Sequence, residues 1–253
     1  MKYVGFVGTE GHMPAEAVAE MNRDFPSYFA EIGPRVRLYG RELDFPDSAV
    51  TVRVREGETL VTDGPFVETK EFVGGFDVLD CADLDEAIEV EAKSPVARFL
   101  LFEIRPFRDG LRVAEPLASA FGREDDSAGL PYLLTVWMGR TPAEPLNEQA
   151  VLQESEAWRQ ELAAGGVYIL GGALGGPETA TTLRVRDGET QLSDGPFLGI
   201  AEFMASIDVV SCADRQQAID LAATHPFARY YAIEARPFYS AAIHAQRQLE
   251  SQA

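Results

Sequence analysis

Lys70 stands between acids in the run Glu68-Thr69-Lys70-Glu71, just ahead of the Gly74-Gly75 pair. Alternating charges beside two glycines suit a pocket rim, with Glu68 and Glu71 as binding groups. Lys70 is a catalytic candidate, although a cation flanked by carboxylates keeps a high pKa, which favours a charge clamp over a base. Asp77 follows in the next apolar run and is the second catalytic candidate. His225, in Thr-His-Pro-Phe, is the best general acid or base by residue type, because imidazole titrates near neutral pH. Its place before a Pro also fits a cap or a surface residue. His12 and His244 read as solvated. No histidine pair has metal-ligand spacing such as HxxxH, so no metal is expected. The phosphate-cradling patterns GxGxxG and GxxxxGK[ST] are missing, so no nucleotide cofactor is expected either. Cys81 and Cys212, the two cysteines of the chain, precede helix starts and read as small buried residues.

These residues belong to a unit that occurs twice. TVRVREGETLVTDGPF starts at Thr51 and TLRVRDGETQLSDGPF at Thr182, an offset of 131. The offset holds through Glu71 and Glu202, Cys81 and Cys212, to Arg105-Pro106-Phe107 and Arg236-Pro237-Phe238. Upstream the copies drift slightly, with Tyr3 matching Tyr132 and Gly40 matching Gly171. The chain is a tandem duplication. We divide it into a first domain (1–107), a linker (108–130) with one short helix expected at 117–121, a second domain (131–239) and a polar tail (240–253).

Each copy alternates strand and helix periods. KYVGFVG reads as a strand. Val18, Met21, Phe25, Phe29 and Ile32 recur at helical spacing, with Pro26 expected to kink or shorten that helix. Two strands follow around a Glu-Gly-Glu turn, then the Asp-Gly-Pro-Phe corner, then FVGGFDVL as another strand. Asp83 and Asp214 cap a second helix, and RFLLFEIRPF closes the unit. The order β-α-β-β-α-β with an extra hairpin is a split βαβ, ferredoxin-like unit. The fold class expected is α+β, with two such repeats packed as an intramolecular dimeric α/β barrel.

Helices cover one face of such a sheet, and the other face must be buried by something else. In the last strand Phe102 and Ile104 are expected under the helices, while Glu103 and Arg105 face away. Glu234 and Arg236 repeat this in copy two. In the strand before the second helix, Phe76 and Val78 are assigned to the helix side and Asp77 to the other, with Asp208 matching Asp77. Two readings follow. The charges form structural ion pairs, or Asp77, Arg105, Asp208 and Arg236 line a small-molecule pocket between the sheets, Arg orienting an anionic or enolic substrate. Tyr3 and Tyr132 join the second reading as substrate-binding residues.

The segment DGPFVETKEFVGGFDVLD, with the RPF ending and the element order, resembles the DGPF branch of the YCII-related family. The resemblance spans both copies. It implies a ferredoxin-like α/β barrel, usually a dimer of single domains. Some relatives are lyases using a His–Asp pair in acid/base chemistry, and some accompany sigma factors. Copy one keeps the hallmark through Glu71; copy two replaces its middle with Leu198-Gly199-Ile200-Ala201. Neither first helix carries the family's histidine. Asp-Gly-Pro-Phe also has a plain meaning as a corner that re-aims the chain.

Composition narrows the partners. The 253 residues carry 22 Lys+Arg against 41 Asp+Glu, a formal net charge of −19, which opposes nucleic acid and anionic membranes as partners. No bilayer-length apolar run and no secretory leader pattern is found, so a cytoplasmic protein is expected. The function expected is small-molecule binding, with an acid/base lyase or isomerase reaction on a small aromatic or enolic substrate. A non-catalytic regulatory or protein-interaction module is the alternative. The chain is expected as a monomer with an internal pseudo-dimer, or as a homodimer.

Overall fold

The computed structural model describes residues 1–11, 13–33, 35–114, 130–139 and 141–240. His12, His244, the expected 117–121 helix and nearly all of the tail lie outside them. Repeat one runs β1 (Lys2–Thr9), α1 (Ala15–Ile32), β2 (Arg37–Glu42), β3 (Val50–Arg55), β4 (Glu58–Asp63), β5 (Phe72–Asp80), α2 (Leu84–Lys93) and β6 (Leu101–Pro106). After β7 (Arg112–Val113), repeat two gives β8 (Leu130–Met138), α3 (Glu148–Ala164), β9 (Tyr168–Ala173), β10 (Thr181–Arg186), β11 (Glu189–Asp194), β12 (Phe203–Cys212), α4 (Arg215–Thr224) and β13 (Ala232–Pro237). The architecture is mixed α+β, with two sheets and four α-helices among the described residues.

Local chemistry accounts for the punctuation. Asp83 accepts from Glu86 N–H at 3.0 Å and Asp214 from Gln217 N–H at 2.8 Å, so both expected caps form. The two hairpins turn on Glu56-Gly57 and Asp187-Gly188, all four residues at positive φ. Two successive positive-φ residues match the right-handed twist of the flanking strands. The helix α1 runs through Pro26 without breaking.

Sheet connectivity crosses the repeats. One sheet has the order β11-β10-β6-β1-β5-β2 and the other β4-β3-β13-β8-β12-β9-β7. Hairpin β3-β4 of repeat one therefore pairs with β13 of repeat two, Thr51 opposite Glu234. Hairpin β10-β11 reciprocally pairs with β6 of repeat one, Thr182 opposite Glu103. The exchange satisfies backbone groups that each repeat alone would leave on an edge strand.

The apolar faces of both sheets meet in one core, containing Val4, Phe6, Phe76 and Val78 from one and Leu133, Trp137, Ile207 and Val209 from the other. Helices cover the outer faces: Phe102 and Ile104 pack with Ala87 and Val90 of α2, and Ile233 and Ala235 with Ala218 of α4.

This arrangement corrects one face assignment. Phe76 and Val78 lie between the sheets, while Asp77 and Leu79 lie on the helix side, and Asp208 likewise. A central strand buried on both faces is apolar on both, so alternation separates the faces without saying which is which. The β1–β5 register also slips by one residue between Val73 and Gly75, reversing parity along the strand. The α1 stripe differs too: Tyr28 is its buried residue, while Val18 and Phe29 are exposed. The α1 face turned to its sheet carries a tyrosine over a buried acid, a polar pairing that apolar spacing does not reveal.

Candidate functional site

The charged pairs of β6 and β13 hold the exchanged corners. Glu234 Oε2 accepts from Phe66 N–H at 3.0 Å, and Glu103 Oε2 accepts from Phe197 N–H at 3.2 Å. Each repeat thus anchors the Asp-Gly-Pro-Phe corner of the other. Arg105, 1% exposed, lies 3.8 Å from Glu103 and donates to the carbonyls of Met204, at 2.6 Å, and of Gly175. Arg236 lies 3.4 Å from Glu234. Burial raises the Glu103 pKa, with Arg105 opposing. The corners themselves repeat: Gly64 N–H donates to Ala49 carbonyl and Gly195 N–H to Ala180 carbonyl, each at 2.9 Å.

A buried acid sits under the first helix of each repeat. In repeat two, Asp208 is fully buried and receives Arg159 Nε at 2.6 Å, Arg159 Nη2 at 3.2 Å and Tyr168 Oη at 2.9 Å. His225 Nε2 lies 3.5 Å from its other side, and His225 Nδ1 accepts from Phe227 N–H at 3.2 Å. Burial raises the Asp208 pKa, yet Arg159 and His225 outweigh it and hold it below the usual range. Burial pulls the His225 pKa down, and the opposing pull of Asp208 does not restore it. His225 is therefore a neutral, fully enclosed cap whose ring packs edge-on to Trp158, centroids 4.7 Å apart.

Repeat one solves the same problem with the residue types exchanged. Asp77 receives Arg37 Nε at 2.7 Å, with Tyr28 in the same cluster. Tyr28 and Arg159 are 131 residues apart, as are Arg37 and Tyr168, so tyrosine and arginine have traded places around the acid. Glu91 adds a second carboxyl there, fully buried, with neither oxygen hydrogen-bonded among the described residues. Burial and then Asp77 raise its pKa well above the ordinary value. Gly5 leaves it room, because a Cβ there would collide with Glu91 Oε1. The matching positions in repeat two, Leu134 and Ala222, reverse the sizes. The sequence held the signal for this cluster in the paired exchanges at offset 131, although apolar periodicity concealed it.

The accessible cavity lies elsewhere. A groove of about 670 Å³ opens between the end of β1, the start of α1 and the exchanged hairpin of repeat two. Met13, Phe99, Leu100 and Leu101 supply apolar wall; Glu10, Glu16, Glu71, Arg184 and Arg186 supply charge. Lys70 pairs with Glu10 on the rim, and Arg184 lies 3.8 Å from Glu71. Hydrogen bonding to Glu10 raises the Lys70 pKa and the same contact lowers that of Glu10, so Lys70 is a fixed cation. Gly8 forms part of the wall. Its counterpart, Trp137, packs its indole on Phe66, centroids 5.8 Å apart, whereas a side chain at Gly8 would meet Leu101 and Phe197.

Of the residues singled out from the sequence, Glu71 lines this groove and Lys70 borders it. Glu68 lies on the same loop. Asp77 and His225 do not line it, so the three catalytic candidates are not brought together; they sit in three separate places. Arg105, Arg236 and Asp208 are enclosed in the interior, and none of them lines the groove. Tyr3 is buried under α2, its hydroxyl 3.6 Å from Met1 Sδ. Tyr132 lines a second cavity of about 430 Å³ with Asp44, Asp63, Asp214 and Arg215. The thiols of Cys81 and Cys212 are buried, with pKa values pushed up to about 12 by burial, unsuited to nucleophilic attack. Among the described residues no cluster of His, Cys, Asp or Glu could hold a metal ion, and no helix is long and apolar enough to cross a membrane.

The YCII-related domain model matches the chain twice, over residues 12–109 and 134–241. The chain belongs to the YCII-related family. An uncharacterized protein of Rhizobium meliloti (strain 1021) is 48% identical over 59 residues, which cover 23% of this chain and 44% of the relative. The chain therefore matches under half the length of that relative. The two YCII-related units differ at this position, with Gly8 on the groove wall in one and Trp137 in the core between the sheets in the other.

Proposed function

We propose that this YCII-related chain binds a small organic molecule in the groove of repeat one. The observation that carries the reading is the groove itself, lined by Glu71 of repeat one and Arg184 of repeat two, coincident with retention of Glu68-Thr69-Lys70-Glu71 in repeat one. The volume suits a small ligand, and an apolar wall with a few convergent charges is the usual composition of such sites. Arg184, supplied by repeat two, offers a fork for the carboxylate or enolate oxygen of an aromatic or enolic compound. Lys70, fixed as a cation, serves recognition. Acid/base chemistry of the lyase or isomerase kind falls in this reading to Glu71, whose carboxylate shares the groove with Arg184. The DGPF-branch hallmark around Lys70 supports the same assignment. We read the facing sheets as an intramolecular dimeric α/β barrel, a reading supported by the hairpin exchange and the shared core, so one chain supplies both halves of the site.

Thermal shift and calorimetric titration with a panel of aromatic acids and quinol-like compounds test the proposal. A hit raises the Tm of the wild-type protein, and Arg184→Ala and Ala17→Trp, which fills the groove, lose that shift while retaining their own cooperative melt. Unchanged binding in Ala17→Trp, or no hit across the panel, overturns it. Product analysis of the hits separates turnover from binding alone.

A further inference from the structure

The groove holds more charge than its own ion pairs consume. Lys70 pairs with Glu10, Arg98 with Glu20 at 3.3 Å, and Arg184 lies 3.8 Å from Glu71. Glu16, in the first turn of α1, and Arg186, at the end of β10, also line the groove. Neither has an ion-pair partner among the described residues. Arg186 bonds only locally there, from Nη1 to the carbonyl of its neighbour Val185 at 3.1 Å.

Repeat two shows the same positions committed to the fold. Arg55, the counterpart of Arg186 at an offset of 131, donates from Nη1 to its own neighbour Val54 at 2.7 Å. It also donates to the carbonyls of Ala228 at 3.0 Å and Arg229 at 3.1 Å. The counterpart of Glu16 is Asn147, whose side chain caps α3 by accepting from Ala150 N–H at 3.2 Å. Val151 takes the place of Glu20 and is buried. One repeat thus uses the guanidinium and the polar side chain on its own loop and helix, and the other leaves a cation and an anion facing one groove. A ligand entering there displaces water from both. A lone acid would leave Glu16 less hydrated and still without a partner, and a lone amine would do the same to Arg186.

We propose that the groove takes an amphoteric ligand of the aromatic amino acid class, with its carboxylate on Arg186 and its ammonium on Glu16. This rests on the groove being the ligand site, and adds a second charge to the acid named for it above. Arg184 stands two residues from Arg186 on the same face of β10, so both guanidiniums serve the carboxylate. Met13, Phe99, Leu100 and Leu101 provide the apolar wall for the ring.

Calorimetric titration of the wild-type full chain at low ionic strength gives the test. The probes are phenylalanine, tyrosine and tryptophan, each beside the acid lacking its amine and the amine lacking its acid. At least one amino acid is expected to bind about 5-fold tighter than either truncated form, the scale of one exposed charge contact. Glu16→Gln should erase the advantage over the acid, and Arg186→Gln the advantage over the amine. Each variant should keep the wild-type Tm without ligand, because neither side chain bonds another element. Acids that bind as tightly as their amino acids, or a preference that survives Glu16→Gln, overturn the amphoteric assignment and leave the groove as a site for acids. Binding by none of the amino acids overturns it too, and the groove itself is then judged by the aromatic-acid panel and Ala17→Trp.

Discussion

Glu234 accepts the Phe66 N–H at 3.0 Å across 168 residues of sequence. Glu103 does the same for Phe197, so each repeat is closed only when the other is folded. These contacts join hairpin exchange to buried charge. Glu234→Ala leaves Arg236 enclosed without its partner and frees the Phe66 corner. The expected loss is about 3–5 kcal/mol in urea unfolding, the range for removing one member of a buried pair. A single cooperative transition should persist, because neither repeat keeps a complete sheet alone.

The two buried aspartates differ in how much they are relied upon. Asp208 has no exposed surface and is held by Arg159, Tyr168 and His225, whereas the Asp77 side chain is 10% exposed and Arg37 beside it 25%. Asp208→Asn is expected to cost about 3–5 kcal/mol and Asp77→Asn about 1–2 kcal/mol. Denaturant titration of the two variants checks the order.

Glu91 makes stability fall as pH rises. Its pKa in the folded chain is raised well above the ordinary 4.5 by burial and by Asp77. Below that ordinary value both folded and unfolded chains keep the proton. Above it the unfolded chain releases the proton and the folded chain does not, so folding is disfavoured progressively up to the folded-state pKa. Glu91→Gln should match wild type near pH 4 and exceed it increasingly toward neutral pH. Equal stability of the two at pH 7 would contradict a neutral buried carboxyl.

His225 acts in the opposite direction. Its folded-state pKa is lowered by burial from an ordinary 6.5. Above 6.5 both states are neutral and its stabilisation is complete; as pH falls below 6.5 the unfolded chain takes up a proton first, and stability is lost. His225→Ser, which copies Ser94 of repeat one, should flatten this part of the pH profile. Two-dimensional NMR of the imidazole should show it taking up its proton at lower pH in the folded chain than in the unfolded one.

Gly5 and Glu91 are sized for each other, as are Leu134 and Ala222. Gly5→Leu alone forces a side chain onto Glu91 and is expected to destabilise by about 1–3 kcal/mol. Adding Glu91→Ala should restore most of that loss, a non-additivity read directly from a double-mutant cycle.

The groove has a simple genetic signature. Once a compound that raises Tm is in hand, Lys70→Ala should weaken its binding by up to about 5-fold, the scale of one exposed charge contact. Asp77→Asn, remote from the groove, should leave that affinity unchanged. Equal loss in both variants would place the ligand in the helix-side cluster instead.

The duplication, its offset of 131, the helix caps at Asp83 and Asp214, and the Asp-Gly-Pro-Phe corners were legible in the amino-acid sequence, because each depends on neighbours a few residues apart or on direct comparison of the copies. The burial of Glu103, Arg105, Glu234 and Arg236 followed from strand alternation in the same way. Three things were decided only by tertiary structure. Hairpin β3-β4 joined the other repeat's sheet, since a strand's sequence does not name a distant partner. Asp77 and Asp208 turned toward the helices, since a strand buried on both sides is apolar on both. The open groove came to lie between β1, α1 and the exchanged hairpin, since its walls come from elements that only the tertiary structure brings together.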